Sequence, residues 1–180
     1  MKTVINALGL NNAQPKNPMP DDSPSFSIFW DQWLRFAITR DPNFDSLTFD
    51  PLKPGKWQTR LDEISVLMDK NKTDLSALAA KGGKILLLHG TADALITTRG
   101  SAYYYQRVQS TMGVSATRDF IRYYEIPGYN HGISAVFFPE WDSLTALENW
   151  VQAGIVPAAQ IVRDAFGVPN RTRPLCEYPA

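Results

Sequence analysis

Apolar residues recur at helical spacing in the segment FSIFWDQWLRFAIT, which follows a polar stretch rich in proline, asparagine and aspartate. This spacing predicts a short amphipathic helix with Asp31, Gln32 and Arg35 on its polar side. The apolar side of the predicted helix consists of Phe29, Trp33, Phe36 and Ala37. We therefore expect these four side chains to pack inward.

Four later stretches also have helical periodicity. A stripe of Leu61, Ile64, Leu67 and Met68 predicts a helix over residues 59–69, and a shorter helix fits residues 74–81, before two glycines. The segment SAYYYQRVQSTMG predicts a helix that ends at Gly113. The segment EWDSLTALENWVQAG predicts a helix that ends at Gly154, with an inward face of Leu144, Leu147, Trp150 and Val151.

Two short apolar runs predict buried strands. The first is KILLLHG, and the second is FIRYYEI, residues 120–126, before Pro127 and Gly128. Helices alternate with these strands, so the order predicts an α/β fold with a mostly parallel sheet and flanking helices. A two-stranded sheet has two open edges and is poorly stable alone. We therefore expect further strands in the first 60 residues, or pairing with polypeptide outside this chain.

Composition and charge limit the partners. The 180 residues suit one compact domain, and both Lys plus Arg and Asp plus Glu number 18. With zero net charge, we expect neither nucleic acid nor a membrane surface as a partner. The sequence contains no apolar run long enough to span a bilayer, and we expect no secretion signal in its first ten residues. Cys176 is the single cysteine, which leaves a free thiol or a bond to another polypeptide.

Asp93 and His131 are the candidate catalytic residues. Each lies in a loop that leaves the carboxyl end of a predicted strand, and ligands bind at this edge of open α/β sheets. On neighbouring loops, the aspartate would orient the imidazole, and the histidine would deprotonate a serine. The acid precedes the histidine along the chain, as it does in α/β-hydrolases.

Simpler interpretations exist for each residue. An aspartate in such a loop is commonly a turn former or helix cap, and a lone histidine beside glycine is commonly structural. We interpret His89, at the end of the first strand, as a group that packs or bonds locally. Two histidines and one cysteine form no metal-ligand cluster, and KGGK lacks the spacing of a phosphate loop. We therefore expect no cofactor and no metal.

The nucleophile is missing from the pattern. No serine before Asp93 lies in the G-x-S-x-G elbow that α/β-hydrolases use between a strand and a helix. Ser101 and Ser134 follow glycine-containing sequences, but both come after the acid. We therefore expect the nucleophilic serine to lie outside this chain.

Several segments together resemble the C-terminal part of the tannase and feruloyl esterase family. They are FAITRDPNFDSLTFD, GGKILLLHGTADALI, YYYQRV, YYEIPGYNHG, WDSLTALENWVQAG and RTRPLCEYP. The ending R-T-R-P-L-C-x-Y-P and the D-P-x-F-D stretch are the more specific of the shared motifs. On this resemblance, residues 1–28 are a largely irregular linker or lid remnant, and residues 29–180 are the C-terminal part of an α/β-hydrolase domain.

The resemblance implies a secreted or periplasmic enzyme that cleaves carboxylic esters of aromatic acids with a Ser–His–Asp triad. Asp93 would be the acid and His131 the general base. The serine would lie on an upstream G-C-S-x-G elbow, before a lid that carries the family's calcium site. Gly132 stands where family members usually have a cysteine bridged to one beside the serine, so that bridge cannot form here. Cys176 matches a family cysteine whose usual partner lies elsewhere.

Three functions follow from these observations. The leading hypothesis is an ester-hydrolase portion that holds two of three triad members and acts on an aromatic-acid ester when a companion chain or upstream segment supplies the serine. Alone, such a chain would be inactive or weakly active. The second hypothesis is a non-catalytic module that covers its open strand edge by homo-oligomerisation. The third is another α/β-hydrolase, such as a peptidase or lactone hydrolase.

Overall fold

The computed structural model describes residue 23 and residues 25–69, 71–132, 137–157 and 159–179. The chain divides into two compact units, Met1–Lys70 and Asn71–Ala180. The predicted linker or lid remnant, residues 1–28, falls mainly outside the described residues.

The first unit is helical in its described part. Helix α1, Ser25–Gln32, continues directly into a π-helical segment, Trp33–Thr39. Two 3₁₀ turns, Ser46–Thr48 and Gly55–Trp57, then lead into helix α2, Gln58–Met68. The predicted helix over residues 59–69 is therefore confirmed to within one residue.

The buried side of the first helical segment is the reverse of the predicted one. Phe29 and Phe36 are 64% and 63% exposed, whereas Leu34 and Ile38 are buried. Trp33 and Ala37, the other two residues predicted to face inward, are half-buried. The prediction that this apolar side packs inward is therefore wrong for its two phenylalanines.

A polar cluster explains the reversal. Asp31 and Arg35, predicted on the polar side, are both buried, and the Arg35 Nε donates to Asp31 Oδ1 at 2.9 Å. Ser46 donates a hydrogen bond to the same carboxylate oxygen, and the Arg35 guanidinium also donates to the Pro42 carbonyl at 2.6 Å. Because buried charges are tolerated when they are paired and hydrogen-bonded, these partners permit the polar side to face inward.

The second unit contains the predicted pair of parallel strands. Strand β1 is Ile85–Gly90 and strand β2 is Ile121–Ile126, aligned from Ile85 opposite Ile121 to Gly90 opposite Ile126. The short helix α3, Ser76–Ala79, precedes β1. The helices between the two strands are α4, Thr98–Met112, and α5, Val114–Arg118.

A second, antiparallel sheet was not predicted. Strand β3 is Pro139–Glu140, strand β4 is Gln160–Asp164 and strand β5 is Thr172–Leu175, in the spatial order β3-β4-β5. Helix α6, Ser143–Ala153, lies between β3 and β4 in sequence. The prolines of this C-terminal tail are compatible with a strand, because proline is tolerated on an edge strand and, among the described strands, β5 pairs only with β4. The α/β class is therefore confirmed, but the mostly parallel sheet is wrong for the described residues, where one strand pair is parallel and two are antiparallel.

Strand β2 separates two apolar clusters. Its alternate residues point to opposite sides, as the pleat of a strand requires. One side belongs to a cluster with α4, made of Ala102, Tyr105, Val108, Phe120, Ile121 and Tyr123. The other side belongs to a cluster with the second sheet, made of Tyr124, Ile126, Phe137, Val162 and Leu175.

Two helices bury less of their apolar sides than predicted. In α2, the expected inward residues Leu67 and Met68 are exposed. In α6, Trp150 is buried, but Leu144 and Val151 are 66% and 53% exposed. In the described part of the chain, α2 therefore has no fully buried residue and α6 has only Trp150. None of the described helices has the length and apolar character needed to cross a bilayer.

The packing of the second sheet can be tested at Leu175. Because this side chain is completely buried, Leu175→Ala should lower the free energy of unfolding by about 2–5 kcal/mol. Ile161, on the paired strand β4, is 72% exposed, so Ile161→Ala should cost less than about 0.5 kcal/mol. Urea denaturation of both variants measures the difference, and equal losses would contradict the burial of β5.

Candidate active site

The two loops that leave β1 and β2 are joined at the carboxyl edge of the parallel pair. The Thr91 amide donates to the Ile126 carbonyl, and the Ala92 amide donates to the Tyr129 carbonyl, each at 3.0 Å. A Cβ atom on Gly90 would overlap the carbonyl oxygen of Tyr129, so this close approach requires glycine. The parallel register thus brings the Asp93 loop against the His131 loop.

Asp93 and His131 meet as the sequence predicts. The Oδ2 atom of Asp93 lies 3.0 Å from Nδ1 of His131. The other carboxylate oxygen, Oδ1, accepts hydrogen bonds from the amides of Leu95 and Ile96 at 2.8 and 2.9 Å. The turn-forming role and the contact with histidine therefore coexist in a single carboxylate, because each uses a different oxygen.

The Asp93 carboxylate is held in its ionised form. Burial opposes ionisation, but hydrogen bonds from the amides of Ile96 and Leu95 and from the His131 ring outweigh it and hold the pKa well below its usual range. Only 6% of the Asp93 side chain is exposed, so water competes little for the oxygens. At neutral pH, a negatively charged Asp93 favours the form of His131 that carries a proton on Nδ1.

The His131 ring is oriented by its loop as well as by Asp93. Asn130 accepts hydrogen bonds through Oδ1 from the amide of His131 at 2.8 Å and from the amide of Ala94 at 3.0 Å. Asn130 therefore ties the two loops together beside the ring. With Nδ1 directed to Asp93, Nε2 is the nitrogen that remains to accept a proton, and 52% of the side chain is exposed.

His89 also contacts Asp93, which the sequence did not predict. Its Nε2 lies 3.2 Å from Asp93 Oδ2 and 3.1 Å from the Ile96 carbonyl oxygen, while its Nδ1 lies 2.7 Å from Ser101 Oγ. Two acceptors around Nε2 assign the proton to that nitrogen, so in the neutral ring Nδ1 accepts from Ser101. The expected local bonding of His89 is confirmed. The sequence feature that could have indicated the contact with Asp93 is the four-residue spacing between His89 and Asp93 across a tight turn after the strand.

These side chains border an open cavity of about 450 Å³, within the range of small-molecule sites. The polar groups on its wall are His89, Asp93, Asn130, His131 and Ser143, the first residue of α6. Its other walls include Leu88, Ile96, Ile126, Tyr129, Pro139 and Trp141. A proton-accepting imidazole thus faces a cleft with aliphatic and aromatic walls.

The described residues contain no group of three His, Cys, Asp or Glu side chains arranged to hold a metal ion. Ser101, the fourth residue of α4, contacts His89 and is not among the residues that line the cavity. Ser134 lies outside the described residues. Cys176 is a free, exposed thiol in this structure.

Comparison with known proteins places the chain in a family. A family model described as tannase and feruloyl esterase matches residues 8–180. The chain therefore belongs to the tannase and feruloyl esterase family, as the sequence motifs indicate.

Individual relatives agree with this assignment. The chain is 38% identical over 174 residues to the mono(2-hydroxyethyl) terephthalate hydrolase of Piscinibacter sakaiensis, covering 93% of this chain and 26% of that protein. It is 34% identical over 181 residues to a probable feruloyl esterase of Arthroderma benhamiae, covering 96% of this chain and 33% of that protein. Feruloyl esterase B of Aspergillus oryzae is similar in structure, with a TM-score of 0.69, 26% identity, and coverage of 82% of this chain and 32% of that one. The chain thus spans about a quarter to a third of these relatives.

The pH dependence of stability tests the hydrogen bonding of Asp93. Because folding lowers the pKa of Asp93, its contribution to stability is present above about pH 4 and is lost as the pH falls below that value. The difference in free energy of unfolding between wild type and Asp93→Asn should therefore shrink between pH 5 and pH 2. Denaturant unfolding at each pH measures it, and a constant difference would contradict the lowered pKa.

Proposed function

We propose that this chain supplies the acid and the base of a serine-type carboxylic-ester hydrolase, with Asp93 as the acid and His131 as the base. The nucleophilic serine and the donors that stabilise the oxyanion come from polypeptide outside these 180 residues. The observation that carries the proposal is the 3.0 Å contact between Asp93 Oδ2 and His131 Nδ1 at the edge of the cavity.

The geometry suits the proton transfers of ester cleavage. His131 Nε2 accepts the serine Oγ proton as the serine attacks the ester carbonyl, and the Asp93 carboxylate stabilises the imidazolium. The imidazolium then gives its proton to the departing alcohol, and an acyl-enzyme remains. In the second step, His131 takes a proton from water, hydroxide attacks the acyl carbon, and the proton returns to the serine as the acid leaves.

The walls of the cavity support an aromatic-acid ester as the substrate. Tyr129 and Trp141 border the same space as His131, together with aliphatic side chains. Aromatic rings bind flat substrate rings by stacking and edge contacts. The names of the relatives, feruloyl esterase and terephthalate-ester hydrolase, point to the same substrate class.

A companion segment would also complete the fold. In the described part of the chain, β1 pairs with β2 on one side only, and Leu88 on β1 is 36% exposed beside the cavity. A strand with one open edge and apolar neighbours is a template for further pairing. An upstream segment or companion chain that carries the serine would cover this edge. Self-association into a homo-oligomer would cover the same edge without adding a nucleophile.

Labelling with a fluorophosphonate tests where the nucleophile lies. The probe reacts with serines that a base and an oxyanion site activate. We expect no serine of the 180-residue chain to be labelled above the level of the heat-denatured protein. Labelling of Ser143, which lines the cavity with His131, would contradict the proposal because the chain would then carry its own nucleophile. Labelling of Ser101 would also contradict it, because Ser101 with His89 and Asp93 would then be an independent nucleophilic set.

Cleavage of p-nitrophenyl acetate tests the role of His131. The exposed imidazole should react with this activated ester, so His131→Ala should lower the protein-dependent rate by at least about fivefold in the isolated chain. Lys81→Ala removes an exposed amine elsewhere and should leave the rate unchanged. Equal rates for wild type and His131→Ala would remove His131 from the proposed chemistry.

A further inference from the structure

The family-specific ending R-T-R-P-L-C does not line the cavity, yet one of its side chains reaches the loop that carries His131. Arg173, on β5, donates a hydrogen bond from Nη1 to the carbonyl oxygen of Pro127. Pro127 directly follows β2, so the contact lies where the loop begins. This contact connects the edge of the second sheet to the loop of the candidate base.

Gly128 makes room for the Arg173 guanidinium. A Cβ atom at this position would overlap Nη1 of Arg173, and the glycine has φ +75°, a conformation that other residues adopt at a cost. The Gly128 amide donates to Thr91 Oγ1 at 2.9 Å. The same residue thus contacts both the arginine and the neighbouring Asp93 loop.

Arg173 also contacts Phe137. The guanidinium carbon lies 4.3 Å from the ring centroid of Phe137, which is 1% exposed. A guanidinium stacked on a buried ring combines cation–π attraction with planar packing. One side chain therefore contacts Pro127 and Phe137, which precede and follow His131 in the sequence; residues 133–136 lie outside the described residues.

The backbone of Arg173 is itself firmly held. Arg173 is paired with Val162 across β4 and β5, and Leu175 is completely buried. Just before β5, the Arg171 Nε donates to the Asp164 carboxylate at 2.9 Å. That carboxylate also accepts the amides of Gly167 and Val168, so the turn between the two strands is fixed.

We propose that Arg173 is a positioning residue that anchors the start of the His131 loop, at Pro127 and Gly128, and thereby sets the distance from His131 to Asp93. The functional meaning of this positioning rests on the proposed function, whereas the contacts themselves do not. Without the guanidinium, the loop keeps its bonds to the Asp93 loop and the packing of Tyr129 against the second sheet, but it loses the hydrogen bond that fixes its first residue, Pro127. The His131 ring then samples positions beyond hydrogen-bond distance of Asp93.

Amide hydrogen exchange and crystallography on Arg173→Met test this role. Loss of a charged donor should increase exchange at Gly128, Tyr129 and His131 by about tenfold or more. Exchange within β4 and β5 should change by less than about threefold. In crystals of the variant, the distance from His131 Nδ1 to Asp93 Oδ2 should exceed 3.5 Å.

Three further variants provide controls. Arg163→Met makes the same change on the adjacent strand at an exposed position, and it should leave the loop amides and the distance unaltered. Gly128→Ala displaces the guanidinium and also strains the backbone at φ +75°, so it should increase loop exchange at least as much as Arg173→Met. Arg173→Lys keeps the positive charge but loses the planar guanidinium, so its loop exchange should lie between those of wild type and Arg173→Met. If Arg173→Met does not fold, the same comparison is made between wild type and Arg173→Lys.

The outcomes separate this inference from the proposed function. Unchanged loop exchange in Arg173→Met, or an equal increase throughout β4 and β5, would overturn the positioning role. If His131→Ala leaves ester cleavage unchanged while Arg173→Met still frees the loop and lengthens the distance, the positioning role stands and the proposed function fails.

Discussion

The site depends on one carboxylate oxygen, Asp93 Oδ2, which lies within hydrogen-bond distance of two imidazoles. His131 approaches it from the loop after β2, and His89 approaches it from the end of β1. The second oxygen is bound by backbone amides of its own turn, so the carboxylate is fixed on all sides and stays ionised. A fixed negative charge gives His131 a defined proton position, which a general base requires.

The residues Asp93 and His131 could be predicted because two parallel strands place their following loops at one edge. The strand signals were strong, since KILLL and FIRYYEI are short apolar runs bounded by turn residues. His89 was not predicted as a partner of Asp93, because that contact depends on how the turn after Gly90 folds back. The spacing between the two residues in the sequence does not determine the direction in which this turn folds.

Two features that the periodicity of apolar residues did not predict, the buried side of the first helical segment and strand β5, depend on tertiary packing. Helical spacing placed Phe29 and Phe36 inside, but the mutual pairing of Asp31 and Arg35 allowed the polar side to be buried instead. The tail became strand β5 because an edge position accepts proline and because its long-range partner β4 supplies the hydrogen bonds. Both outcomes depend on contacts between distant residues, which local patterns do not contain.

The proton positions on the two histidine rings test the central claim most directly. These are the only histidines in the chain, so ¹⁵N-histidine labelling gives two sets of ring signals. At pH 8, above the usual pKa of histidine, we expect the proton on Nδ1 of His131 and on Nε2 of His89. In Asp93→Asn, the His131 preference should weaken. A His131 ring protonated on Nε2 in the wild type, and unchanged in Asp93→Asn, would contradict the account.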